Sequence, residues 1–268
     1  MRERRGVALM LVLWLVVVLA ILGARVTTSA RSSTFIAGNL RARTSAKYAA
    51  ESGIVFGAAR LRSALSAVTD PAERAAFLNS LETKGSSGDE IALGDARFMV
   101  VFVDANSRLD VNNASRAQLA RLFSFFTGPV EAARAADAVR MRIGGEDVLP
   151  GERRRFSGQR TDLSYPALRP PSPLRSLEEL RAIPSLPEHV AFAAAPFLTV
   201  DGDGRINRAT ASDTVLAVAT GSLVDEPSRL IVIARGWVRG NPLTHEIQAV
   251  YAIDGKSMML VRWQERDL

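Results

Sequence analysis

The chain has 268 residues, 47% of them hydrophobic and 23% charged, and no cysteine. That is enough to bury one large core or two small ones, and it excludes disulfides as their staples. The formal charge is +6, but from Val7 onward 31 basic residues face 27 acidic ones, a balance too mild to mark a nucleic-acid binder by itself.

The first element is a run of 18 uncharged, mostly branched apolar residues, Val7 to Ala24, behind the stub Met1-Arg2-Glu3-Arg4-Arg5-Gly6. As a helix it covers roughly 27 Å, close to the hydrocarbon thickness of a bilayer. A secretory signal has an apolar core of roughly 7 to 15 residues and a small-x-small cleavage site, and Gly23-Ala24 is only a poor candidate for one. The absence of cysteine rules out a lipoprotein anchor. Three arginines before the run predict a single pass through the inner membrane, with the N-terminus cytoplasmic and the body outside.

No proline occurs before Pro71, and Ile54, Ala58, Leu61 and Leu65 form a one-faced stripe at helical spacing. The apolar run and the stripe therefore read as one helix of roughly 88 Å from Val7 to about Leu65. Its far half must pack against something. Gly38, Gly53 and Gly57 mark bends or close approaches of neighbouring helices, and a break near Gly38 is the competing reading.

After a polar stretch, Thr83 to Asp89, the segments Ile91–Leu93 and Arg97–Val103 read as strands. Residues 105–225 read as helix and loop. Ser115-Arg116-Ala117-Gln118 and Ser176-Leu177-Glu178-Glu179 both match the capping-box pattern and predict helix starts. Pro150 to Leu174, with five prolines and Arg153-Arg154-Arg155, reads as a long loop.

Strand-forming sequence returns at Arg229–Val238, Thr244–Ile253 and Ser257–Trp263. A Gly240-Asn241-Pro242 turn joins the first pair, and Asp254-Gly255 gives a two-residue hairpin signal between the second. Ile247, Ala249, Tyr251 and Ile253 alternate with Glu246, Gln248 and Ala252, which predicts a sheet with one face on the long helix.

An internal echo lies in the middle section. Arg108-Leu109, Ala114-Ser115 and Leu119 recur as Arg205-Ile206, Ala211-Ser212 and Leu216. Similar Ser-capped turns occur in helix-hairpin-helix modules that hold DNA phosphates on helix-start amides. Those modules need a glycine-rich hairpin, and only Gly128-Pro129 and Gly221 are nearby, so no nucleic-acid partner is expected.

Catalytic chemistry is not legible. There is no cysteine nucleophile, G-x-S-x-G, phosphate loop or H-E-x-x-H, and His189 and His245 stand alone in the sequence, so the chain is not read as an enzyme. Asp201-Gly202-Asp203-Gly204 lacks the carboxylate a calcium loop carries near its twelfth position and reads as a polar turn.

Arg4-Arg5-Gly6 followed by Val7-Ala8-Leu9-Met10, the uninterrupted apolar helix, and the blocks Arg108 to Ala114 and Ser176 to Arg181 together resemble the K-type minor pseudopilins of type II secretion systems. The resemblance implies an α+β fold in which a long N-terminal helix packs on a small antiparallel sheet, with a large inserted α-helical domain. The corresponding divisions are a prepilin leader at 1–6, the transmembrane part of the helix at 7–24, the first part of the pilin-like body at 25–104, the insertion at 105–225 and the closing strands at 226–268. It also implies cleavage by a prepilin peptidase between Gly6 and Val7, and methylation of Val7.

Most pilin-like subunits carry glutamate at the fifth mature position, whereas Leu11 stands there in this chain. An unpaired buried carboxylate costs several kcal/mol, so Leu11 fits a subunit with no other above it. The implied role is a non-enzymatic tip subunit that helps start a pseudopilus exporting folded proteins, with the I-, J- and H-type minor pseudopilins as partners. K-type relatives bind calcium near a G-A-E-D-like segment, which Gly144-Gly145-Glu146-Asp147 resembles. The arginines of Asp137 to Ile143 oppose a divalent cation there, and no cofactor is expected. The alternatives are a type IV pilus-like minor pilin, a membrane-anchored DNA-uptake protein and an anchored periplasmic binding protein.

Overall fold

The computed structural model describes residues 4–85, 90–144, 172–221 and 223–268, with the side chains of 4–9, 26, 28–30 and 83–85 outside that description. Helix α1 runs unbroken over Arg4–Ala67, so Gly38 does not break it. The stripe of Ile54, Ala58, Leu61 and Leu65 is buried, as its spacing requires. Burying Ile54, Leu61 and Leu65 contributes about 1.5–3 kcal/mol each, far more than helix propensity supplies.

Helix α2, Pro71–Gly85, follows at once. Asp70 accepts the amide of Ala72, Pro71 opens the first turn where its missing N–H costs nothing, and Glu73 faces the positive end of the helix dipole. The strands β1 (Ile91–Leu93), β2 (Ala96–Asp104), β7 (Arg229–Val238), β8 (Thr244–Asp254) and β9 (Ser257–Asp267) form one antiparallel sheet in the order β1-β2-β7-β8-β9. Its inner face lies on α1, where Ala50, Ile54 and Ala58 meet Val232, Ala234, Ile247, Ala249 and Tyr251. Leu78 of α2 joins Leu61, Leu65, Leu230 and Ile253 at the far end.

Glycine sets how closely helix and sheet approach. At Gly236 a Cβ would sit 2.9 Å from that of Ala49, and closer still to Ala46 O and Ala50 N, so the strand lies directly on the helix backbone. Gly53 and Gly57 likewise face Ala234 and Val100 at 2.8 and 2.9 Å. The neighbours they admit are strands, not the helices expected from sequence.

Between β2 and β7 the chain builds a unit with its own core. Among the described residues its helices are α3 (Arg116–Phe123), α4 (Pro129–Ile143), α5 (Glu188–Ala194) and α6 (Asp213–Val218), with 3-10 turns at Ala105–Ser107, Leu177–Ala182 and Ala195–Phe197. Four two-residue strands pair in parallel, β3 (Leu109–Asp110) with β4 (Leu198–Thr199) and β5 (Ile206–Asn207) with β6 (Leu223–Val224). Leu119, Leu122, Phe123, Val139, Val190 and Leu198 are fully buried at its centre.

Three local expectations need correction. Ser115 makes a complete capping box with Gln118, but Ser176 starts a 3-10 turn by accepting the amide of Glu178, because Glu179 is drawn away to Arg142 and the Arg175 amide. The β8–β9 hairpin pairs Asp254 with Ser257, so its loop is Gly255-Lys256 and not Asp254-Gly255. Positive φ falls on Gly255 alone of the two, the pattern of a type II′ turn. Glu246, placed by alternation on the open face, is also buried. Hydrogen bonds from Arg235 and Gln248, and a third from Arg266, cover it.

Candidate functional site

From Met10 to Leu22, helix α1 exposes apolar side chains all round. Met10, Leu11, Trp14 and their neighbours through Leu22 are exposed on every side of the helix, Leu11 at 66% and Trp14 at 72%. A helix apolar all round satisfies its backbone but leaves its side chains without cover in water. The side chains of Gly6, Val7, Ala8 and Leu9 lie outside the described residues, as do Met1 to Glu3, so the expected cleavage site between Gly6 and Val7 is not described. Among the described residues no helix is long and apolar enough to cross a membrane.

Where α1 enters the body, the end of β9 clasps it. Arg43 pairs with Asp267, and Lys47 donates to Glu265 at 2.7 Å. His245 is not isolated as its sequence context suggested, for its Nδ1 lies 2.7 Å from Asp267 and its Nε2 lies 3.5 Å from Glu265. The His245 contact, followed by Arg43, holds Asp267 below the usual carboxylate range despite some burial, and Lys47 does the same for Glu265. A cleft of about 330 Å³ opens beside this clasp, walled by Ile36, Leu40, Ala46 and Leu243.

A second polar cluster joins the sheet to the inserted unit. Asp104 accepts from Asn207 at 2.7 Å, from Thr210 at 2.6 Å and from the Asn106 amide at 2.7 Å. Asn106 donates to Asp203 and Arg205 O, while its own oxygen takes the amides of Ser228 and Arg229. Burial pushes Asp104 and Asp110 up, against the hydrogen bonds they accept. Burial also acts on Asp203, but Ser228, the Arg205 amide and Asn106 outweigh it and hold that carboxyl down.

The arrangement is one of mutual satisfaction, with donors matched to carboxylates. Among the described residues no group of three or more His, Asp or Glu side chains is set to hold a metal ion. In Asp201 to Gly204, the carboxylate of Asp201 meets Arg262 and that of Asp203 is engaged as above. Of Gly144-Gly145-Glu146-Asp147 only Gly144 is described, as the left-handed cap of α4; the rest, and the proline-rich stretch as far as Pro171 that was expected to form a loop, lie outside the described residues.

The internal echo has a structural counterpart. Leu109 and Ile206 each begin a two-residue strand, and Ser115 and Ser212 each cap the helix that follows. At those helix starts the Gln118 and Val215 amides are taken by Ser115 and Ser212.

Comparison with known proteins bears on this architecture. The PilX N-terminal family model matches residues 5–55, the shaft of α1 and its entry to the body. A chain of the GspK-GspI-GspJ complex of the enterotoxigenic Escherichia coli type 2 secretion system superposes with a TM-score of 0.56 at 14% identity, over 84% of this chain and 99% of that one. The fold is pilin-like. No curated protein sequence matches. The long helix, the antiparallel sheet and the additional helices accord with the fold expected from sequence, and the family match gives the chain a pilin-type N-terminus.

Proposed function

We propose that this protein is a non-enzymatic minor pseudopilin at the tip of a type II secretion pseudopilus, where it helps start assembly for export of folded proteins. The observation that carries the reading is the match over 99% of a chain from a GspK-GspI-GspJ complex and 84% of this one, a larger share than the long helix and main sheet make up by themselves. The neighbours would be minor pseudopilins of the I, J and H types. The apolar shaft from Val7 would be stored as a single span of the inner membrane, N-terminus inside and body in the periplasm, until a prepilin peptidase cuts between Gly6 and Val7 and Val7 is methylated. Leu11 supports the tip position, since a subunit with none above it has no ammonium to neutralise. The reading assigns no catalytic residue and no cofactor.

The test is co-expression of the full chain with a prepilin peptidase, followed by intact mass and N-terminal sequencing. Loss of residues 1–6 with a methylated Val7 supports the reading; an intact N-terminus, or a cut near Ala24, sinks it. A minor pilin of a type IV pilus is the second reading, favoured by the PilX N-terminal match. Restoration of secretion, as against twitching, in strains lacking the corresponding subunit separates the two.

A further inference from the structure

Strand β9 is the long free edge of the main sheet; the opposite edge, β1, has only three residues. Nine of the eleven residues of β9 are exposed. Of the ten large apolar side chains exposed outside α1 among the described residues, five lie within 259–268: Met259, Leu260, Val261, Trp263 and Leu268. Natural edge strands are protected by charges projecting from the edge, and by bulges.

In β9 the charges are engaged elsewhere. Arg262 is turned to Asp201 and the Arg175 carbonyl of the inserted unit, Arg266 to Glu246 of β8, and Glu265 and Asp267 to Lys47 and Arg43 of α1. Lys256, at the hairpin, reaches the Ser66 carbonyl at 3.4 Å. The bulge that leaves Val261 without a partner on β8 interrupts the strand once, and the run before it, Ser257-Met258-Met259-Leu260, is uncharged.

We infer that the β9 edge is a docking site for a strand of a neighbouring pilin-like subunit, one with uncharged, alternately apolar residues, which extends the sheet by main-chain pairing along Ser257 to Trp263. The charge pattern selects this occupant. Arg262, Glu265, Arg266 and Asp267, the charged side chains of β9, already have partners within the chain, so an incoming charge would find none there, whereas an apolar strand covers Met259, Leu260 and Trp263 and satisfies the outward N–H and C=O groups. The inference rests on the pseudopilus reading, because it takes the neighbour to be another subunit of the same fibre.

The experiment mixes the full chain, in detergent, with purified I-type and J-type minor pseudopilins and follows hydrogen exchange and affinity. Complex formation is expected to slow exchange across Ser257–Trp263 at least tenfold. The double substitution Met259→Lys with Val261→Lys, at exposed positions, should weaken association at least tenfold while leaving the unfolding temperature within about 2 °C. A complex that forms with β9 exchange unchanged overturns the inference and leaves the proposed function standing. No complex with either subunit removes both. Protection that appears in the chain alone and grows with its concentration assigns the edge to a second copy and overturns the choice of partner.

Discussion

Asn106 donates its side-chain amide to Asp203 at 2.8 Å, and these two residues occupy equivalent places in stretches that echo each other 97 residues apart. The two copies thus dock on one another where the inserted unit meets the sheet. Asn106 also accepts the amides of Ser228 and Arg229, at the point where the chain returns to β7. Replacing it with alanine strands two backbone donors and part of Asp203 in a buried site. The expected loss is about 3 kcal/mol in denaturant unfolding, well above the ±0.5 kcal/mol of an ordinary surface change.

Gly236→Ala should be more damaging than its one added methyl suggests. The new Cβ would overlap the backbone of α1 at Ala46 and Ala50, which cannot give way as a flexible side chain can. A loss of about 3 kcal/mol or more is expected, or failure to fold. Gly128→Ala is the control, because its φ is −65° and nothing lies within 4 Å of the added carbon. Thermal unfolding of the two variants should differ by many degrees.

Acid should act on Asp104 and Asp110 at the joint oppositely to Asp267 and Glu265 at the clasp, while Asp203, held down, follows the clasp. Asp267 and Glu265 are held below their ordinary values in the fold, so the stability they contribute is present above the unfolded carboxylate range and is lost as pH falls through the depressed folded values. Asp104 and Asp110 are raised by burial, so their contribution is fully present below the unfolded value and declines as pH rises through the folded one. Hydrogen exchange at pH 3 and pH 6, corrected for intrinsic rates, should show the end of β9 loosening in acid while the amide of Asn106, which Asp104 accepts, stays protected. Loosening at the joint first would contradict this assignment.

Glu246→Ala removes a fully buried carboxylate but leaves Arg235 and Arg266 at 45% and 54% exposure. Breaking a buried ion pair costs about 3–5 kcal/mol when the surviving charge stays buried. Here both guanidiniums can hydrate, so a smaller loss of about 1–2 kcal/mol is expected from urea titration. Burial opposes the ionised form of Glu246, but its three side-chain donors hold the carboxyl below its ordinary value.

The fold was readable wherever a period and a chemical marker agreed. Ile54 to Leu65 gave the buried face of α1, and Ile247 to Ile253 gave the face of β8 that meets it. Helix α2 was missed although Asp70-Pro71 with Glu73 is a helix-start signal, because the polar residues that follow obscure its buried side at Leu78. The clasp at the neck was not readable at all. His245, Asp267 and Arg43 are brought together by pairing of β8 with β9 and their packing on α1, and no local pattern records a contact between residues 224 positions apart. The Asp104–Asn207 contact was hidden for the same reason, although the echo containing Asn207 was visible.

Asp104 and Leu230 face each other across the β2–β7 ladder, so the chain leaves the sheet and re-enters it at adjacent positions. Everything between them hangs from a gap of about 5 Å, the spacing of neighbouring strands. A short hairpin loop could close the same gap without moving one residue of the sheet register. The size and content of the inserted unit are thus uncoupled from the strand register: a longer or shorter insertion at this point leaves the pairing of β2 with β7 as it is.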